Sequence, residues 1–165
     1  MPSQLLSEQS VGVDAFVGLL RAHAAVTRQL NAQLAADHEL TISDYEVLLR
    51  LARAPDRRLR RVDLAQQVLL TPSGITRLLD GLERQGWVDR AACAEDRRVV
   101  YAVLTAAGLD KLREASSSHV PQIDEHFARR LGPEDLVSLV ALLGRLGDES
   151  GELPCDAEGG ATPRA

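Results

Sequence analysis

The chain has 165 residues, 45% apolar and 26% charged, with a formal net charge of −5. That is long enough for one domain with helical arms and a real core. No apolar run approaches the roughly 18 residues of a membrane span, no basic-then-apolar leader opens the chain, and Cys93 and Cys155 fit neither a disulfide framework nor metal-ligand spacing. The expectation is a cytoplasmic protein that binds no membrane.

Residues 1–10 read as a flexible tail. From Val13 the apolar positions Val13, Phe16, Val17, Leu20, Ala24, Leu30 and Leu34 follow helical spacing, which predicts a first helix over 12–37. Ser43, with Glu46 three residues on, offers a capping box for a second helix carrying Val47, Leu48 and Leu51. Pro55 closes it. A short third helix holds Leu64, Ala65 and Val68. Thr71-Pro72 starts a fourth, since threonine caps free N–H groups and proline is tolerated in the first turn. That helix buries Ile75, Leu78, Leu79 and Leu82, and Gly86 stops it.

Trp87 to Arg90 and residues 99–104 read as two strands of a hairpin around a polar loop, 91–98. Thr105 caps a fifth helix with Leu109, Leu112, Ala115, Ile123 and Phe127, which Pro121 is expected to kink or break. A last helix from Pro133 carries Leu136, Leu139, Val140, Leu143 and Leu146. The Gly-, Pro- and acid-rich segment 148–165 has a composition that predicts disorder. The fold expected is mainly α with a small antiparallel β-hairpin wing. It is a single domain over 11–147, a winged helix-turn-helix (41–104) with N- and C-terminal dimerisation helices (12–37 and 105–147). The apolar stripes at 13–36 and 123–146 are too long for one winged-helix core, so a homodimer is expected.

Charge is unevenly spread. Residues 1–49 hold 2 basic and 6 acidic groups, residues 50–100 hold 11 and 7, and residues 101–165 hold 6 and 11. A basic centre between acidic flanks suits a polyanion. On the fourth helix, Ser73, Gly74, Thr76 and Arg77 present small or polar groups at the N-terminal end, as a helix entering a major groove requires. Arg84 continues that face. At the hairpin, Arg97 is placed to enter a narrow minor groove, with Asp96 positioning it, and Arg90 and Arg98 add charge. The partner expected is double-stranded DNA.

Residues 40–108 resemble the MarR family of winged-helix transcriptional regulators. The matching segments are Leu40-Thr41…Tyr45-Glu-Val-Leu48, Asp63-Leu-Ala65, Ile75-Thr-Arg77-Leu-Leu-Asp80-Gly-Leu-Glu83, Gly86-Trp-Val88-Asp-Arg90, and Asp96-Arg97-Arg98…Leu104-Thr105-Ala-Ala-Gly108. The resemblance implies a homodimer whose first, fifth and sixth helices interlock and which places two reading helices on a pseudo-palindromic operator. It implies Ser73, Thr76 and Arg77 as reading residues and Asp96 and Arg97 as the wing pair. It also implies repression relieved by a small aromatic or anionic effector or by cysteine oxidation. Gly81 departs from the pattern, falling where relatives often carry a long polar or basic residue. Gly74 is smaller than the usual Ser, Thr or Ala.

An effector pocket is expected among Phe16, Leu20, His23, Tyr45 and His119; the plainer alternative makes the histidines partly exposed helix residues. Cys93, in the wing loop, is the one candidate for thiol sensing. No zinc-ligand spacing joins His23, His38, His119 and His126, and no cofactor is expected. An enzyme is not expected either, for there is no nucleophile elbow, no phosphate-cradling loop and no carboxylate pair beside a catalytic histidine. The rival to a DNA-binding regulator is a winged helix used only for protein interaction. The basic set Arg77, Arg97 and Arg98 argues against it.

Overall fold

The computed structural model describes residues 10–68, 70–92 and 99–147. Helix α1 spans Val11–His38 and ends where Glu39 takes left-handed backbone (φ 56°) and donates its N–H to the Ala35 carbonyl. Helix α2 spans Ile42–Arg53. Its capping box lies two residues before the expected Ser43–Glu46 pair. The Thr41 hydroxyl accepts the Asp44 N–H at 3.1 Å, and the Asp44 carboxylate accepts the Thr41 N–H at 2.9 Å. The shift has a tertiary cause: Asn31 of α1 accepts the Ile42 N–H at 3.0 Å, so that residue is already inside the first turn.

Two successive left-handed residues, Asp56 (φ 52°) and Arg57 (φ 53°), turn the chain after Pro55. They lead into strand β1, Arg58–Arg60. Helices α3 (Arg61–Gln67) and α4 (Pro72–Arg84) follow, then strands β2 (Val88–Ala92) and β3 (Val100–Leu104). The hairpin expected from periodicity is therefore part of a three-stranded antiparallel sheet in the order β1-β3-β2. Leu59 and Arg90 face Ala102 from opposite sides, and Val88 faces Leu104.

Helix α5 runs Ala106–Ala128 with Pro121 inside it, so of the kink or break expected there the break does not occur. Proline removes one intrahelical hydrogen bond. On its two sides, however, α1 holds the helix: His38 Nε2 lies 2.6 Å from the Ser118 hydroxyl, and Gln122 donates to Asp37 at 2.9 Å. Helix α6 spans Pro133–Leu146.

Residues up to Ile123 form one compact unit and those from Asp124 a second. The core of the first joins Leu34 of α1, Val47, Leu48 and Leu51 of α2, and Leu64 of α3. Ile75, Leu79 and Leu82 of α4, Val88, Ala102 and Leu104 of the sheet, and Leu112 and Ala115 of α5 complete it. Phe16 and Leu20, on the first half of α1, are 60% and 53% exposed. In the second unit α6 buries no residue, and Val137, Val140, Leu142, Leu143 and Leu146 are all exposed.

Candidate nucleic-acid interface

Helix α4 is amphipathic by construction. Ile75, Leu79 and Leu82 are buried at spacing i, i+4, i+7, with Leu78 packed at the edge of the same cluster. The opposite face begins at Thr71, whose hydroxyl accepts the Gly74 N–H at 3.1 Å and lies 3.2 Å from the Ser73 hydroxyl. Ser73 and Arg77 are exposed, while Gly74 and Thr76 are half-buried. Arg77 and Arg84 have no carboxylate partner among the described residues. The N-terminal end of α4 thus offers small groups, the positive end of the helix dipole and a guanidinium with no carboxylate partner among the described residues, which together attract phosphate and admit a close approach.

Arg90 is placed differently from Arg77 and Arg84. Its guanidinium is ion-paired to Asp80 and lies 3.0 Å from the Glu83 carboxylate, both on α4. The pair is surface-exposed and contributes about 0–1 kcal/mol to stability. Its electrostatic effect matters more. Arg90 offsets one of the two carboxylate charges of α4, and Arg77 and Arg84 outweigh the other. Asp80 and Glu83 lie three apart on one helix face; that Arg90 meets them depends on how β2 docks.

A second joint fixes the far end of the wing to α5. Gly86 takes a positive φ of 73° after α4. The Thr105 hydroxyl donates to the Gly86 carbonyl at 2.7 Å and accepts the Gly108 N–H at 2.9 Å, while the Thr105 N–H reaches the Trp87 carbonyl at 3.1 Å. A side chain at Gly108 would overlap the Trp87 carbonyl oxygen and stand 2.8 Å from Leu104 Cδ1. The Gly-Trp and Leu-Thr-Ala-Ala-Gly segments are the two halves of this lock.

Of the residues expected to hold an effector, the structure brings Tyr45 and His119 together, ring edge to ring face at 4.8 Å. The Tyr45 hydroxyl lies 3.0 Å from that of Ser116. His119 is 4% exposed, not a partly exposed helix residue, and burial first, then the charge of His38, hold its ring below the ordinary pKa. His38 is also buried, with its Nδ1 3.4 Å from Glu114. Sequence spacing did not show this pairing, because His38 and His119 are 81 positions apart. Phe16, Leu20 and His23 stand exposed on the first half of α1. Cys93, Asp96, Arg97 and Arg98 lie outside the described residues, as do the two tails and Cys155. Among the described residues no group of three or more His, Cys, Asp or Glu side chains could hold a metal ion, and no helix is long and apolar enough to cross a membrane.

The helix-turn-helix of α3 and α4 with a three-stranded sheet at its side defines a winged helix-turn-helix of the DNA-binding class. The MarR family model matches residues 40–100. Over 132 residues the chain is 29% identical to the HTH-type transcriptional regulator MhqR of Bacillus subtilis, covering 80% of this chain and 88% of that one. It is 32% identical over 111 residues to the HTH-type transcriptional repressor YetL of the same organism, covering 67% of this chain and 66% of that one. The MarR family regulator Sco3205 of Streptomyces coelicolor, solved in complex with DNA, superposes with a TM-score of 0.74 at 30% identity, over 85% of this chain and 90% of that one. The chain belongs to the MarR family of DNA-binding transcriptional regulators.

Proposed function

We propose that the protein is a cytoplasmic, dimeric repressor of its own or neighbouring genes, released from a pseudo-palindromic operator by a small aromatic or anionic effector. The observation that carries the DNA-reading part is the exposed N-terminal face of α4. There Ser73 and Arg77 are exposed and Gly74 and Thr76 half-buried beside them, while Ile75, Leu79 and Leu82 anchor the helix. Arg84 extends the phosphate contacts, and Arg90 acts as a positioning group through Asp80 and Glu83. Asp96, Arg97 and Arg98 form the minor-groove wing. The relative YetL is a transcriptional repressor, which supports the repressor reading.

Dimerisation is supported by the bare apolar side chains of α1 and α6, too many to leave in water. The effector site is assigned to Tyr45 and His119, with Phe16, Leu20 and His23 joining it once the arms are covered in the dimer. A mobility-shift assay on DNA upstream of the gene, with and without small aromatic acids, tests the whole reading. Binding that requires two half-sites about one helical turn apart and is released by such an acid is expected. Sedimentation as a stable monomer at micromolar concentration, or indifference to half-site spacing, would contradict it.

A further inference from the structure

Residues 50–61 contain six arginines and a single carboxylate, Asp56. Three of the six are compensated: Arg50 lies 3.4 Å from Glu46, Arg58 lies 3.6 Å from Asp56 and stacks over Tyr101, and Arg60 grips Asp63 through two nitrogens at 2.6 and 3.0 Å. Arg53, Arg57 and Arg61 are exposed and have no carboxylate partner among the described residues. Arg53 sits in the last turn of α2, where a cation answers the negative end of the helix. Arg57 and Arg61 have no such local reason.

Arg61 opens α3 and borders a hollow of about 250 Å³ that it shares with Val62, Ala65, Gln66, Leu70 and Ile75. Leu70 immediately precedes the α4 cap, and Ile75 lies at the end of the first turn of α4. An uncompensated guanidinium therefore stands beside residues that lead into the reading helix, at the start of α3 directly after β1. We propose that Arg61, with Arg57, is a second phosphate-binding station that grips the DNA backbone alongside α4. The proposal rests on α4 being the DNA-reading element, since the first helix of a helix-turn-helix crosses the backbone when the second enters the groove. The ligand class follows from the chemistry. A guanidinium fork suits a phosphodiester, and apart from Arg61 and Gln66 the hollow is lined by apolar side chains.

The test uses the full chain and a duplex from upstream of the gene, with affinity measured between 50 and 200 mM salt. Each phosphate contact contributes about 0.9 to the log–log salt slope. Arg61→Ala should flatten the slope by about 0.9, so affinity lost across that range shrinks about 3.5-fold. The pair Arg57→Ala/Arg61→Ala should flatten it by about 1.8, a shrinkage of about 12-fold. Arg61→Lys should keep the slope, and the rank order of operator variants should not change in any of them. Melting midpoints should match wild type, because neither side chain is buried or paired. An unchanged slope in the double variant, with the wild type binding and Arg77→Ala losing base preference, overturns this proposal alone. A wild type without salt-dependent DNA binding overturns the reading of α4 as well.

Discussion

The outer face of α4, proposed to meet DNA, and the joint that fixes the wing to the scaffold make opposite demands on sequence. Around Gly86, Trp87, Thr105 and Gly108 three hydrogen bonds and one forbidden Cβ fix the chain. On the outer face of α4, Ser73, Arg77 and Arg84 touch little within the chain. Substitution in the first region should therefore be read as stability, and in the second as affinity, with little crossover. A regulator built this way can change its operator without risking its fold.

The largest effect expected is at Gly108. Gly108→Ala forces a Cβ onto the Trp87 carbonyl, which can yield only by moving the wing off α5, and should cost about 3 kcal/mol or more. Chemical denaturation checks it, and a loss below about 1 kcal/mol would show the lock to be loose. Thr71→Ala lies on the border of the two regions. It removes the cap of α4 and should cost about 1 kcal/mol of stability, with a matching loss of DNA affinity because the reading turn frays. Gly81 sharpens the contrast from the other side. A Cβ there meets nothing, so Gly81→Ala should raise stability by about 1 kcal/mol, measurable as a higher melting temperature. Unchanged stability would mean that the backbone at 81 is not helical in solution.

The smallest effect concerns pH. His119 is held neutral in the fold by burial and by His38, while in the unfolded chain it binds a proton near pH 6.5. The unfolded state thus takes up the proton first. The stability from the neutral ring is complete above about pH 6.5 and is lost as pH falls through the depressed folded value. Thermal midpoints on acidification should fall more steeply for wild type than for His119→Phe, which keeps the ring against Tyr45. Parallel curves would remove the buried histidine from the account.

Elements whose causes are local were legible in the sequence. Thr71-Pro72, Gly86 and Thr105 each set a boundary through neighbours within a few residues, and the i, i+4, i+7 pattern of α4 placed its buried face. What depended on tertiary partners was not. Ser43–Glu46 and Thr41–Asp44 both satisfy the capping-box spacing, and Asn31, eleven residues before Ile42, decides between them. The Arg-Leu-Arg of β1 is too short to show alternation and is a strand because β3 pairs with it. Pro121 fails to break α5 because α1 holds both sides of it. Arg90, counted as a DNA contact on charge, meets Asp80 and Glu83 only after β2 docks on α4. The polar outer face of α4 was visible because it needs no partner inside the chain.

That face is tested most directly by binding of Arg77→Ala and wild type to a set of operators, each changed at one base pair. The account predicts a loss of about 1–3 kcal/mol on the native operator, with preference relaxed at one position per half-site and the others unchanged. An equal loss on every operator would reduce Arg77 to a phosphate contact. No loss on any would remove α4 as the reading element.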